Sequence, residues 1–378
     1  MRQTPRPAND PFPPFILPLA MRQGMPDRLA RFTIGLLALV HVAVLASLVL
    51  VLWSIGARAQ ESVSETAVAC GGENLLERMR ESGDPRLDDI EAAAADVPNG
   101  SGKFWRIAMD GRADSYLYGT MHVSDPRVTA LEPNVEAAMQ DAGTVIIETD
   151  ELVRPEGAQA AIFANPELTM FTDGTTLKTL LEPEDYALVE SELESIGVPI
   201  VAVQRMKPWM IASLVALPDC EMERKSDGMA FLDKQIAEDA LADGKVLKGL
   251  ETIEEQLSAM ASLPIEFHVQ GLIETISLGP LLDDVMTTMT DLYLDGEIGT
   301  IMPMIRAAAP PSDPQAESGY ADFEERIVLA RNRTMAQRAL PILEDGNAFI
   351  AVGALHLPGE EGLIELLRAE GYTVTRGD

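Results

Sequence analysis

One local pattern occurs twice in this chain and constrains its fold more than any other feature. Residues 115–122 read Ser-Tyr-Leu-Tyr-Gly-Thr-Met-His, and residues 348–356 read Ala-Phe-Ile-Ala-Val-Gly-Ala-Leu-His. Each is an apolar run, then Gly-x-x-His, then a proline, then sequence of helical character. A short apolar run ended by glycine reads as a buried strand. A strand followed by a turn, a helix and a further strand is the unit that builds a parallel sheet. The chain has four histidines among 378 residues, and two of them, His122 and His356, share this setting 234 positions apart. The repetition predicts that folding brings two imidazoles together at neighbouring strand ends. Gly119 and Gly353, three residues before each histidine, let the backbone turn sharply or approach a ligand closely.

The remaining pattern supports such a sheet. Phe104–Met109 and Asp114–Tyr118 read as two strands around Asp110-Gly111, a hairpin signal. A helix starts near Pro133, and Thr144–Ile147 is a buried strand that ends on Glu148. Lys245–Leu250 is a further strand, ending on Glu251. After Ala348–Val352, a helix over Glu361–Glu370 leads to a last strand over Tyr372–Val374. Helical spacing covers Pro183–Ile196, Pro208–Leu217, Met229–Ala242 and most of 252–306. Pro310, Pro311 and Pro314 mark a loop. Asp322–Leu340 reads as an amphipathic helix carrying Arg331, Asn332, Arg333 and Arg338. The expected fold is α/β. It has a central mixed, largely parallel sheet with helices, and a large helical insertion between two pseudo-repeated strand–Gly-x-x-His–helix–strand halves.

Charge divides the chain. Residues 1–59 carry net +4, whereas the remainder holds 23 basic against 58 acidic side chains, net −35. An acidic surface of this size excludes nucleic acid as a partner. Phe32–Ile55 contains 24 residues with no Asp, Glu, Lys or Arg, and His41 is its only titratable group. As a helix it would span about 36 Å, enough to cross a bilayer. Arg22, Arg28 and Arg31 precede it, which puts residues 1–31 in the cytoplasm. Ala57-Arg58-Ala59 is a small-x-small cleavage pattern. Residues 32–55 are thus a transmembrane helix or the apolar part of a signal peptide, residues 60–66 a linker, and 69–378 the folded domain. The domain is expected in the periplasm, held to the inner membrane or released by cleavage near Ala59. Cys70 and Cys220 are the only cysteines, and neither lies in a Cys-x-x-Cys pair. Outside the cytoplasm such a pair predicts a structural disulfide.

His122, Glu148, Glu251 and His356 all fall at strand ends, where open α/β sheets bind ligands. Two imidazoles with one or two carboxylates make a divalent-metal set: His122, His356 and Glu148 as ligands. Glu148 or Glu251 would serve as catalytic carboxylate. Glu251 has an alternative role as cap of the helix that starts at Thr252. Asp233 and Gln256 read as support for the site or as surface. Arg331 and Arg333 read as substrate-binding groups or as salt bridges to the acidic surface. His268 lies on a helix and reads as structural. There is no Gly-x-Ser-x-Gly elbow, no His-Glu-x-x-His helix and no phosphate-binding glycine loop.

These motifs, taken together, resemble the TraB/GumN family, whose relatives include the Tiki membrane-tethered proteases. The matching pieces are Tyr-Leu-Tyr-Gly-Thr-Met-His (116–122), Val-Ile-Ile-Glu-Thr-Asp (145–150), Lys-Pro-Trp (207–209) and Gly-Leu-Glu-Thr-Ile-Glu-Glu-Gln (249–256). Arg-Asn-Arg (331–333) and Val-Gly-Ala-Leu-His-Leu-Pro-Gly-Glu-Glu-Gly-Leu (352–363) complete them. Ala-Cys-Gly-Gly-Glu-Asn-Leu-Leu (69–76) is similar to the start of GumN-type members. The resemblance implies an α/β core carrying a twin Gly-x-x-His site that supports divalent-metal-dependent peptide cleavage in Tiki-like relatives. Two functions follow as expectations: a metal-dependent, peptidase-like hydrolase of the bacterial envelope, or a non-catalytic envelope protein that binds a peptide or polysaccharide component. The topology has its own check. A reporter fused after residue 70 should be active only when exported, and cytoplasmic reporter activity would overturn the assignment.

Overall fold

Six strands form one mixed sheet: β1 (Phe104–Ala108), β2 (Ser115–Thr120), β3 (Thr144–Ile147), β4 (Val246–Gly249), β5 (Ala348–Gly353) and β6 (Thr373–Arg376). The computed structural model describes residues 70–308 and 314–377. The apolar run 32–55, the linker 60–66, Ala59, Pro310 and Pro311 lie outside the described residues. Among the described residues no helix is long and apolar enough to cross a membrane.

The strand order is β4-β3-β5-β2-β1-β6. The first four run parallel, and β1 is antiparallel to both β2 and β6. β3 and β5 are apolar almost throughout because both their faces are covered. On one face Tyr118, Val145, Ile147 and Phe349 share a core with Leu232, Ile236 and Tyr293. On the other, Leu117, Ile146, Ile350 and Val352 pack with Met335, Leu343, Ile364 and Leu367. The helical insertion has its own core around Leu177, Leu193, Ile211 and Leu272.

The two segments that carry the histidines differ at the turn and in their connections: β2 runs through Gly119 to Thr120, whereas β5 ends at Gly353 and turns into a 3-10 helix, Ala354–His356. β2 leads through the helices Pro126–Thr129 and Pro133–Asp141 to β3, which lies beyond β5. β5 leads through the helix Leu363–Ala369 to β6, on the opposite side beyond β2 and β1. β3 leads outward to β4, so the chain leaves the adjacent parallel strands β3 and β5 in opposite directions, away from each other. That is a topological switch point, and ligands bind at the carboxyl ends of such strands.

Several boundaries differ from the sequence expectation. Pro314 opens a helix, Pro314–Phe323, where a loop was expected. Proline fits a first helical turn because its missing N–H has no intrahelical partner there. The expected helix over Asp322–Leu340 is interrupted by a π-helical stretch, Glu324–Leu329, before Ala330–Leu343 resumes α geometry. The last helix starts at Leu363, and the last strand is shifted to Thr373–Arg376 while Tyr372 turns into the core. Cys70 and Cys220 form a disulfide with Cα atoms 5.4 Å apart, which ties the first described residue to the helix Asp219–Ser226.

Two substitutions separate the centre of the sheet from its edge. Phe349→Ala, in the fully buried middle of β5, should cost about 3–5 kcal/mol of unfolding free energy. Val246→Ala, on edge strand β4 with 52% of its surface exposed, should change it by less than about 0.5 kcal/mol. Urea unfolding of both variants checks this, and equal losses would contradict the assignment of β5 to the core.

Candidate functional site

The register of β2 and β5 sets two turns side by side, because Thr120 pairs with Gly353. Gly119 has no side chain for a packing reason: a Cβ there would lie 3.0 Å from Ala354 Cα, inside the turn that leaves β5. Gly353 has none because the site occupies that space. A Cβ at 353 would lie 3.1 Å from Glu148 Oε1, 3.5 Å from His356 Cδ2 and 3.7 Å from His122 Nε2. The folded chain thus brings His122, Glu148 and His356 together over the α-carbon of Gly353. The Gly353 N–H donates to Glu148 Oε1 at 2.8 Å.

Each imidazole is held from behind. Asn332 Nδ2 donates to the Glu361 carbonyl at 2.8 Å, so its Oδ1 faces His356 and accepts from Nδ1 at 2.6 Å. His356 Nε2 is therefore a bare lone pair, 3.7 Å from Glu148 Oε1. Burial is the strongest influence on His356 and pulls its pKa below the ordinary imidazole value, against the attraction of Glu148. His122 Nδ1–H donates to Asp233 Oδ2 at 2.7 Å, and the other Asp233 oxygen accepts from Thr120 Oγ1 at 2.5 Å. Enclosure by the cleft works against the charged His122, but Asp233 and Glu148 outweigh it and raise its pKa. With 58% of its side chain exposed, His122 can still be reached by a ligand. One ring is thus buried and neutral, the other reachable and favoured as a cation. The Nδ1–H contact to a carboxylate or amide oxygen is the support that metal-binding histidines use.

The carboxylates share a cation. Arg331 Nη2 donates to Glu148 Oε2 at 2.6 Å and to Glu251 Oε2 at 2.7 Å, while its Nε donates to Glu251 Oε2 at 3.0 Å. Gln256 Nε2 adds a bond to Glu148 Oε2 at 3.0 Å. Burial disfavours the Glu148 anion, but the neighbouring imidazoles, Arg331 and the Gly353 N–H outweigh it and hold its pKa well below the carboxylate range. Both Glu251 oxygens face Arg331.

Other residues singled out in the sequence lie elsewhere. Arg333 pairs with Glu325 and Glu361 and does not reach Glu148 or Glu251. The helix after β4 is capped by Thr252 and Glu255 rather than by Glu251. His268 Nε2 bonds the Met260 carbonyl within the helical insertion. Asp233 and Asn332 carry more of the site than sequence alone gave them, and both had a readable signal. Asp233 shares the buried face of its helix with Ile236, Ala237 and Ala240. Asn332 shares one with Met335, Ala336 and Ala339. A polar residue on an apolar helical stripe needs a buried partner.

Two imidazole Nε2 atoms and one carboxylate form a donor set that fits a divalent cation. The gap above Gly353 is the space a side chain would fill. Among the described residues no three His, Cys, Asp or Glu side chains already stand in a coordinating group. Arg331 holds one oxygen of the shared carboxylate.

Comparison with known proteins places the chain among relatives, several of which are named metalloproteases. It is 26% identical to the metalloprotease TIKI1 of Danio rerio, over 71% of this chain and 62% of that protein. It is 25% identical to human metalloprotease TIKI1, over 71% and 61%. It is 24% identical to the uncharacterized protein YbaP of Shigella flexneri, over 69% of this chain and 90% of that protein. The chain spans about three fifths of the length of the TIKI relatives. No solved structure matches it. A profile of the TraB/PrgY/gumN family matches residues 103–376, which include every residue of the site, and the chain belongs to that family.

Proposed function

We propose that this protein is a divalent-metal-dependent hydrolase of peptides, working in the bacterial cell envelope. The observation that carries the reading is the meeting of His122, Glu148 and His356 above Gly353, with both rings fixed through Nδ1. The metalloprotease relatives support it. The apolar run 32–55 and the disulfide support an exported domain, in the periplasm and membrane-held or released.

His122 Nε2, His356 Nε2 and Glu148 Oε1 would hold the ion. When bound, such an ion lowers the pKa of water and polarises a carbonyl. The protein's own groups prepare the place. Asp233 and Asn332 fix the tautomers and aim both rings. Arg331 neutralises Glu148 and Glu251, so that two buried carboxylates can coexist. Beside them lies a cleft of about 670 Å³ lined by Glu251, Thr252, Ser258, Arg326, Arg331 and Thr334. Its lining mixes hydroxyl and charged groups with the apolar Ala259 and Ala330, which suits a peptide that brings both polar backbone and apolar side chains. One observation favours a second reading. Arg331 bonds both carboxylates at once, as in a non-catalytic protein that binds a peptide or polysaccharide in this cleft.

Metal content separates the two. His122→Ala and His356→Ala should each lower the metal retained after dialysis by about tenfold or more, as expected for loss of a ligand or its support. His268→Ala should leave it unchanged. Peptide hydrolysis should stop with a chelator and return with metal. Unchanged metal content in both site variants would overturn the hydrolase reading. Arg331→Ala should destabilise the fold by about 3–5 kcal/mol, since it takes the guanidinium from two buried carboxylates and leaves Glu251 without its ion pair. A loss below about 1 kcal/mol in urea unfolding would show that the pair is not needed.

A further inference from the structure

Behind the His122 turn lies a buried ionic cluster that the site chemistry leaves unexplained. Ser124, two residues after His122, is fully buried. Its backbone N–H donates to both oxygens of Glu221, at 3.2 and 3.0 Å, and its hydroxyl donates to Glu221 Oε2 at 2.8 Å. Glu221 is 2% exposed and also accepts from Arg224 Nη1 at 2.8 Å. Arg224 Nη2 lies 3.8 Å from Asp125, whose side chain caps the helix Pro126–Thr129. One carboxylate thus holds the backbone that carries His122.

Among the described residues, the helix that supplies Glu221 buries little apolar surface. Over Asp219–Ser226 its buried residues are Cys220, Glu221 and Arg224, and none of them is aliphatic. Most helices stay in place through an apolar face. This one is held by an ionic cluster and by the Cys70–Cys220 bond, with Cys70 Sγ 3.6 Å from Arg224 Nη1. The partner histidine is held differently: His356 is fixed by Asn332 on the helix Ala330–Leu343, away from the disulfide.

We infer that Glu221 is a positioning residue for His122, and that the Cys70–Cys220 disulfide locks it in place, so that one half of the site depends on the redox state. A dithiol reductant passes two electrons to the S–S bond. That bond breaks, two cysteine thiols form, and the reductant becomes its own disulfide. The helix Asp219–Ser226 then loses its covalent tie, water reaches the Glu221–Arg224 pair, and Ser124 is released. Asp233 still holds the His122 ring, but the backbone beneath it is free to drift. His356 keeps its place. This rests on His122 being part of the site, but not on metal or turnover, so its test reads the histidine itself.

The test is NMR of the full chain with isotope-labelled histidine, each imidazole assigned by single substitution. The disulfide-free variant Cys70→Ser/Cys220→Ser should shift or broaden the His122 ring signals and leave those of His356 and His268 in place. Dithiothreitol should do the same to the unsubstituted protein and add nothing to the double variant. Glu221→Gln, with the disulfide intact, should give the same signature confined to His122, and it reads the proposal even where the double variant folds poorly. A merely structural role predicts a lower melting temperature with the three histidines moving together or not at all. Unmoved His122 signals in the Glu221→Gln and reduced proteins would overturn the proposal, as would an equal change at His356. A failure of metal binding would leave these outcomes readable.

Discussion

The site is organised around one buried anion. Glu148 ends strand β3 in a place where water cannot solvate its carboxylate, and an unpaired charge there would be costly. Its partners come from four separate elements. Gly353 at the end of β5 gives an N–H, Arg331 and Gln256 come from two helices, and His356 approaches from the turn after β5. Satisfying that one group holds the ends of the sheet and two helices in fixed relation. Arg331 is bound by the same requirement, since it is largely buried and needs both Glu148 and Glu251. The network is therefore a structural necessity and also the floor of the cleft.

The sheet explains why two histidines so distant in sequence can act as a pair. β2 and β5 are adjacent, parallel and in a register that aligns Thr120 with Gly353. β3, which carries Glu148 just past its end, lies on the other side of β5, and the connections of β3 and β5 lead away from each other at these strand ends. The two imidazoles then acquire opposite characters from their supports. A carboxylate behind His122 favours its cation against the cost of enclosure, whereas burial keeps His356 neutral, with the Asn332 amide accepting from its Nδ1. Local sequence likeness has produced chemical difference, and a site with one reachable and one enclosed ring has a direction of approach.

Much of this was legible in the sequence, and the rest was hidden for identifiable reasons. The apolar runs at 144–147 and 348–352 announced strands buried on both faces, and the Gly-x-x-His turns announced where their ends would matter. Glu148 stood out because it follows such a run directly. Arg331 was visible as a charged residue, but its partners were not, since they lie 183 and 80 positions away. Arg333, two residues on, offered the same sequence signal and pairs with surface carboxylates instead. Helical phase decides between them, and a π-helical stretch just upstream shifts that phase. Glu221 was invisible for a related reason. Asp-Cys-Glu-Met-Glu-Arg-Lys has no apolar stripe to give it an inward face, and the disulfide, Ser124 and Arg224 together hold one of its acids inside.

The central claim is that His122, Glu148 and His356 are donors to a single ion. X-ray absorption at the metal edge of the metal-loaded full chain tests it most directly. The account predicts a first shell containing two imidazoles and at least one oxygen. It further predicts that one imidazole signature disappears in each of His122→Ala and His356→Ala. A shell with one imidazole or none in the unsubstituted protein, unaltered by either substitution, would contradict it.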